Sequence, residues 1–187
     1  MRVIAGEFRS RILKTLPGMT TRPTPDRLRE ALFNVLASRI EGAEFMDAYA
    51  GTGAVGIEAL SRGARRAIFI ESNRDAADVI RLNLASLQIE KRAEVFASKT
   101  IPVLKRKSAD ILFLDPPYEL DSEYPTALTA AQAPFVIAQH SSRLVLAEDY
   151  GRLHRVRVLK QGDNTISFYE VGTSKPPEPD SNTTRLS

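Results

Sequence analysis

Two short stretches of this 187-residue chain carry side chains whose types and spacing could do chemistry. The first runs Asp47-Ala48-Tyr49-Ala50-Gly51-Thr52-Gly53-Ala54-Val55-Gly56, and its glycines follow the G-x-G-x-x-G spacing. An acid, Glu71, stands 20 residues after Gly51. Glycines at such a turn let a ligand approach the backbone, and a carboxylate at the end of the next strand can accept both hydroxyls of a ribose. Two ligands fit. A dinucleotide would set its pyrophosphate against a helix N-terminus. S-adenosylmethionine has no phosphate and carries an ammonium and a sulfonium. Asp47, four residues before Gly51, favours the second, because a carboxylate there repels a pyrophosphate and suits a cation. A tight strand–helix turn that binds nothing is the third reading.

The second stretch is Asp115-Pro116-Pro117-Tyr118, directly after the apolar run 111–114. Proline fixes the backbone and has no N–H, so this turn is stiff and presents carbonyls. An exocyclic amino group needs such a surface. Its two N–H bonds could be accepted by the Asp115 carboxylate and the Pro116 carbonyl, and Tyr118 could stack on the base. Holding both hydrogens out of the ring plane localises the nitrogen lone pair. A sulfonium brings its own leaving group, so the protein mainly positions and polarises, and no strong general base is required. A stacked base hides its amine, so a flipped or unpaired base is expected. Alone, the four residues could be a strand-terminating turn whose acid caps a neighbour. The glycine motif upstream in the same sheet favours the catalytic reading.

These motifs need a scaffold that brings strand ends together. Strand and helix alternate from residue 45 onward: strands over 45–50, 67–70, 93–97, 111–114 and 144–147, and helices over 54–62, 75–87, around 102–106 and over 124–131. Pro134 breaks or restarts the last helix. Short, continuously apolar strands between helices predict a parallel sheet covered on both faces, with ligands beyond the strands' C-terminal ends. Two β-rich runs, 153–159 and 165–171, meet at Gly162-Asp163-Asn164 and predict a closing antiparallel hairpin. Residues 2–16 read as a small N-terminal β-hairpin. Thr24-Pro25-Asp26 opens a helix, with Thr24 as its cap and Leu28, Ala31, Leu32, Val35 and Leu36 as its apolar stripe. The expected fold is therefore α/β and Rossmann-like, with a mostly parallel sheet of the seven-stranded type. A single domain spans 1–171, divided into a hairpin-and-helix arm (1–42) and a cofactor-binding core (43–171). The proline-rich tail from Gly172 is expected to be disordered.

Charge and composition narrow the function. The net charge is +3, and it is unevenly placed. Residues 1–40 hold eight basic and three acidic side chains. A basic arm on a mildly acidic body suits a polyanionic partner. Hydrophobic residues are 43% and charged residues 26%, a globular balance that excludes a wholly disordered chain. The chain has no cysteine, which rules out disulfides and thiolate chemistry. Two histidines, His140 and His154, cannot make a three-histidine metal site, and no metal is expected. No apolar run approaches the roughly 20 residues of a membrane span. The sequence MRVIAGEFRSR lacks the apolar centre of a signal peptide, so a cytoplasmic location is expected.

At these residues the chain resembles the bacterial 16S rRNA guanine-N2 methyltransferases, the RsmD-like family. The resemblance is carried by Ile4-Ala5-Gly6 with Arg9 and Arg11, and by Arg22-Pro23-Thr24 through Asp26-Arg27-Leu28-Arg29-Glu30 to Phe33-Asn34. It continues in residues 47–56 followed by Ile57-Glu58-Ala59-Leu60-Ser61-Arg62-Gly63, in Glu71 and in residues 115–118. The Arg-Pro-Thr segment and its helix are the family-specific part. The Asp-Pro-Pro-Tyr turn is shared by many amino-methylating enzymes.

The resemblance implies methyl transfer from S-adenosylmethionine to N2 of one guanine in small-subunit 16S rRNA, nucleotide 966 in the customary rRNA numbering. It implies that Asp47, Gly51 and Gly53 line the cofactor site, that Glu71 binds the ribose, and that Asp115, Pro116, Pro117 and Tyr118 hold the base. Arg22, Arg27 and Arg29 would flank the substrate entrance. Relatives often carry Asp or Asn and then Ala after the third strand. Here the run is Ala97-Ser98-Lys99-Thr100, so Ser98 or a backbone N–H takes the adenine contact.

Four other residues invite attention. Glu148 is expected to end a strand and to be structural, His140 to lie at a helix end or on the surface, and His154 to sit on a solvated strand face. Tyr49 points either into the core or toward the cofactor. The rival functions are a DNA adenine-N6 or cytosine-N4 methyltransferase, a dinucleotide-dependent oxidoreductase and a non-catalytic RNA-binding module. The small size and basic arm fit a monomer that reads the shape of an assembled rRNA substrate.

Overall fold

The computed structural model describes residues 1–16 and 25–172. Arg22, the expected cap Thr24 and the expected disordered tail beyond Gly172 lie outside the described residues.

One sheet organises the chain. Its strands are β1 (Glu44–Ala48), β2 (Arg66–Glu71), β3 (Ala93–Ala97), β4 (Ile111–Leu114), β5 (Phe135–Ser141), β6 (Asp149–Tyr150), β7 (Leu153–Gln161) and β8 (Asn164–Val171). They lie in the order β3-β2-β1-β4-β5-β8-β7-β6. The first five are mutually parallel, and β8, β7 and β6 add on antiparallel. Seven strands answer to the expected sheet, and β6 is a two-residue addition at its edge. The strand order reverses between β1 and β4, which opens a crevice at their C-terminal ends.

The central strands are buried on both faces, which is why they read as apolar runs rather than alternating ones. On one face, Met46, Ile68, Leu112 and Val136 pack under α4 (Thr100–Leu104) and α5 (Tyr124–Ala130). On the other, Phe45, Phe113, Ile137 and Phe168 pack under α1 (Asp26–Leu36). Beside them, Ala67 and Phe69 meet α2 (Ala54–Ser61) and α3 (Arg74–Leu87). Because side chains alternate along a strand, Asp47 shares the face of Phe45 and lies beneath α2.

Gly56 explains how closely that helix approaches. A Cβ there would fall 2.3 Å from Phe69 Cε1, so only glycine lets α2 rest on β2.

Several expectations change. The strand expected over 144–147 is a loop, and the fifth strand is Phe135–Ser141. An apolar run of that length reads equally as buried helix or strand, and Pro134 proves to stand immediately before the strand. Val145 in the loop is 89% exposed, and the backbone of Ala147 is served by the hydroxyls of Tyr150 and Tyr169 instead of a ladder. Glu148 accordingly ends no strand and meets Arg155 at 3.4 Å.

Residues 2–16 double back as the expected small hairpin: the Val3 N–H donates to the Arg11 carbonyl, the Ser10 N–H to the Val3 carbonyl and the Leu13 N–H to the Met1 carbonyl, around an antiparallel bridge between Arg2 and Ile12. The N–H groups of Ile4 and Ala5 are spent on the Glu58 carboxylate, which leaves them nothing for a ladder. α1 starts one residue later than expected, with Pro25 as its cap.

His140 is inside rather than at the surface. It sits on β5 with Nε2 3.0 Å from Ser167 Oγ, and burial lowers its pKa and keeps it neutral. His154 is exposed on β7, paired with Asp149 at 2.8 Å.

Candidate active site

The two chemical motifs meet where the strand order reverses. β1 delivers Asp47 and the glycine turn, and β4 beside it delivers Asp115. β2 ends at Glu71 and β3 leads to Ser98, so the four strand ends form one rim.

The turn after β1 is built by its glycines. Gly51 and Gly53 both take positive φ, at 56° and 82°. Left-handed backbone costs little for glycine and more for other residues. Above Gly51 no atom lies within 4 Å of a would-be Cβ, so the turn faces open space.

Asp47 is 2% exposed. Its Oδ2 accepts the Gly56 N–H at 2.8 Å, which caps the first turn of α2. Burial pushes its carboxyl up to about 7; the Gly56 bond opposes that rise and the negative charge of Glu71 adds to it.

Glu71 holds the turn from the other side. Its Oε2 accepts the Gly51 N–H at 2.8 Å and its Oε1 accepts the Asn73 N–H at 2.7 Å. Ser98 donates its backbone N–H to the Glu71 carbonyl at 3.0 Å, which places it on the same rim.

On the β4 side, Asp115 is half-buried, Pro116 buried, and Pro117 and Tyr118 exposed, Tyr118 by 64%. A 3₁₀ turn, Tyr118–Glu123, follows directly. Gln139 at the end of β5 donates from Nε2 to Asp115 Oδ2 at 3.0 Å. That bond helps to fix the carboxylate in place. Replacing Gln139 by Leu is expected to lower any turnover that depends on Asp115 by about tenfold, with little change in the melting temperature; steady-state rates and thermal unfolding check it.

The basic arm rests against the same region. Asn83, fully buried on α3, accepts the Lys14 N–H at 2.8 Å and donates to the carbonyls of Lys14 (3.1 Å) and Thr52 (3.2 Å). One amide thus ties the arm to the glycine turn. Arg27 is exposed on α1. Arg29 is not at the surface: it is fully buried, and its Nη2 donates to Asp26 (2.9 Å) and to the Arg2 carbonyl (2.8 Å). It locks α1 to the N-terminal segment.

Comparison with known proteins places the chain among relatives. The family model described as "Conserved hypothetical protein 95" matches residues 1–170. The Bacillus subtilis protein named "Putative rRNA methyltransferase YlbH" is 32% identical over 182 residues, 91% of this chain and 98% of that one. This chain belongs to that family of RsmD-like proteins. A second member, the Escherichia coli "Ribosomal RNA small subunit methyltransferase D", is 42% identical over 120 residues, which span 63% of this chain and 60% of the relative.

Among solved structures, the Escherichia coli yhhF protein, titled a "putative methyltransferase", superposes with a TM-score of 0.81 at 30% identity, covering 91% of this chain and 97% of that one. An RNA methyltransferase from Salinibacter ruber, solved with S-adenosylhomocysteine, shares the fold with a TM-score of 0.65 at 18% identity, over 83% and 97% of the two chains.

Within the family frame, three features of the site escape sequence reasoning. Gln139 sits on the strand that the sequence did not reveal. Asn83 lies on an otherwise unremarkable helix. Glu58 stands inside a quoted motif, but nothing in its spacing shows that it is completely buried. Among the described residues no cluster of three His, Asp or Glu could hold a metal ion, and no helix is long and apolar enough to cross a membrane.

Proposed function

We propose that this chain transfers a methyl group from S-adenosylmethionine to the exocyclic N2 of a guanine in small-subunit rRNA, guanine 966 of the 30S particle. The observation that carries the reading is the meeting, across the β1/β4 crevice, of a buried carboxylate under an open glycine turn with the Asp115-Pro116 acceptor pair. The names and titles of the related methyltransferases support it. On this reading residues 1–171 act as one cytoplasmic, monomeric catalytic domain, with 1–42 as its substrate arm.

The residues present fit the cofactor. Open space above Gly51 admits a ligand against the backbone. Asp47 is a buried acid whose pKa burial raises, and an ammonium beside it would favour its charged form. Glu71 and Ser98 are placed for the ribose and the adenine edge. When bound, S-adenosylmethionine supplies an electrophilic methyl carbon with a neutral thioether as leaving group. Asp115 and the Pro116 carbonyl accept the two N–H bonds of the amine, turning its lone pair out of the ring. Tyr118 covers the base, and Gln139 holds Asp115 still. The amine proton is acidified as the nitrogen gains the methyl and becomes cationic, so half-exposed Asp115 can pass it to water, leaving the neutral methylamine.

The sign of the pH dependence follows from Asp47. Its folded pKa is raised, so between about 4 and about 7 the folded protein keeps a proton that the unfolded chain has lost. The stability contributed by this group therefore falls as pH rises through that window. Binding a cation needs the carboxylate, so S-adenosylhomocysteine affinity should rise with pH up to about 7 and level off above it. Asp47→Asn keeps an acceptor for the Gly56 N–H, and should flatten both profiles and weaken binding at pH 8 by about tenfold or more. Calorimetric titrations from pH 5.5 to 8.5 check it.

The decisive assay offers labelled S-adenosylmethionine with 30S particles lacking the modification, naked 16S rRNA and duplex DNA. Label on guanine N2 of the ribosomal substrate, absent with Asp115→Ala, is expected. Label on DNA would overturn the substrate, and no transfer to any acceptor would overturn the reading.

A further inference from the structure

Tyr49 lies two residues after Asp47, inside the glycine motif, and its backbone is in the left-handed region at φ 69°. For an aromatic residue that conformation is unfavourable, and it persists only where the surroundings enforce it. The enforced conformation sends the side chain away from the glycine turn and across the crevice. The ring packs against the core beneath α4 and α5. The phenol hydroxyl donates to Glu123 Oε2 at 2.5 Å, and the Thr100 hydroxyl also faces it.

Glu123 is the last residue of the 3₁₀ segment Tyr118–Glu123, which begins directly after Pro117 and is kinked at Leu120. One hydrogen bond therefore joins the turn after β1 to the turn after β4. Those two turns are the cofactor side and the base side of the proposed site. A mere packing role would use the ring; it would need neither the strained backbone nor a carboxylate partner for the hydroxyl.

The geometry points to Tyr49 as a positioning residue that latches the base-holding turn to the cofactor-holding turn, so that ligand binding at residues 47–53 orders residues 118–123. This rests on the methyltransferase reading above. The latch makes the two sites one cooperative unit: any ligand that fixes the glycine turn lowers the freedom of the Asp-Pro-Pro-Tyr turn, and by linkage the acceptor must tighten the cofactor by the same factor.

The test uses the full chain, S-adenosylhomocysteine and a 30S acceptor. Amide exchange at 118–123 should slow about fivefold or more when S-adenosylhomocysteine binds the native protein. Tyr49→Phe keeps the ring and removes the latch. It should retain protection at 51–56 and native affinity for S-adenosylhomocysteine, lose the protection at 118–123, and lower kcat about tenfold at unchanged KM for S-adenosylmethionine. Glu123→Gln still offers an acceptor and should behave as native, whereas Glu123→Leu should match Tyr49→Phe, and the double variant Tyr49→Phe/Glu123→Leu should be no worse than either single one. Protection at 118–123 that survives in both Tyr49→Phe and Glu123→Leu would overturn the latch. The exchange readout needs no acceptor, so a native protein that shows it but methylates nothing would sink the rRNA reading and still support the latch.

Discussion

Asp115→Ala is expected to lower kcat for methyl transfer by about 100- to 1000-fold, the loss seen when one preorganised polar contact to a reacting group is removed. Affinity for S-adenosylhomocysteine should stay within about threefold of native, because Asp115 sits on the β4 side of the crevice and the glycine turn is held by Asp47 and Glu71. The informative companion is Asp115→Asn. Gln139 Nε2 points at the Asp115 carboxylate and donates to it. An asparagine would turn its carbonyl oxygen toward that donor and present its own NH₂ to the substrate amine. Two donors would then face each other, so Asn should be nearly as damaging as Ala. Pairing Asp115→Asn with Gln139→Glu moves the acceptor to the partner and should recover part of the rate. Single-turnover transfer to the ribosomal substrate, with cofactor affinity by calorimetry, gives both quantities. An alanine variant within tenfold of native kcat would show that the acceptor pair does not carry the reaction.

How far the sequence leads depends on whether a signal is local. The glycine turn, Asp115-Pro116-Pro117-Tyr118, and strands β1 to β4 are each declared by neighbouring residues, and the structure places them within a residue or two of expectation. Their meeting also follows, because parallel strands with right-handed crossovers bring successive C-terminal ends to one rim. What stays hidden is whatever depends on a distant partner. The run 135–138 becomes a strand because β4 and β8 flank it, and nothing local distinguishes it from a helix. The N-terminal hairpin stays short because a carboxylate 53 residues away takes the Ala5 donor, which no local signal announces. Arg29 reads as a surface cation by its charge, yet its stripe position one residue from Leu28 turns it under the N-terminal segment. The direction of Tyr49 is not legible in the sequence for the same reason, since its hydroxyl partner, Glu123, lies 74 residues on.

Those long-range carboxylate contacts set the second large effect, at Glu58. The side chain is completely buried on α2. Its Oε2 accepts the Ile4 N–H at 2.8 Å, and its Oε1 accepts the Ala5 N–H at 3.0 Å and the Arg62 Nε–H at 2.7 Å. Next to it, Ser61 donates to the Ala5 carbonyl and accepts from the Phe8 N–H, and Gly6 fits so tightly that a Cβ would lie 1.9 Å from the Ser61 carbonyl oxygen. Glu58 is thus the anchor by which the core holds the basic arm.

Glu58→Ala leaves two backbone donors and the Arg62 guanidinium without their acceptor, and should cost about 3–5 kcal/mol of unfolding free energy. Arg62 also lies over the Phe33 ring at 5.0 Å, so its release loosens the contact between α2 and α1. Glu58→Gln offers one acceptor oxygen in place of two and should fall between native and Ala.

Stability and function should separate in a telling way. Asp47 and Glu71 hold the glycine turn by hydrogen bonds that do not pass through Glu58, so a folded fraction of Glu58→Gln should bind S-adenosylhomocysteine as native does. Affinity for the ribosomal substrate should fall, and its dependence on salt should flatten, because the arginines of residues 1–40 are no longer presented together. Urea unfolding measures the first effect, and filter binding at two salt concentrations measures the second. Unchanged salt dependence in a variant with a demonstrably released arm would mean that the RNA is held by the core face alone, and that the uneven charge of this chain serves another purpose.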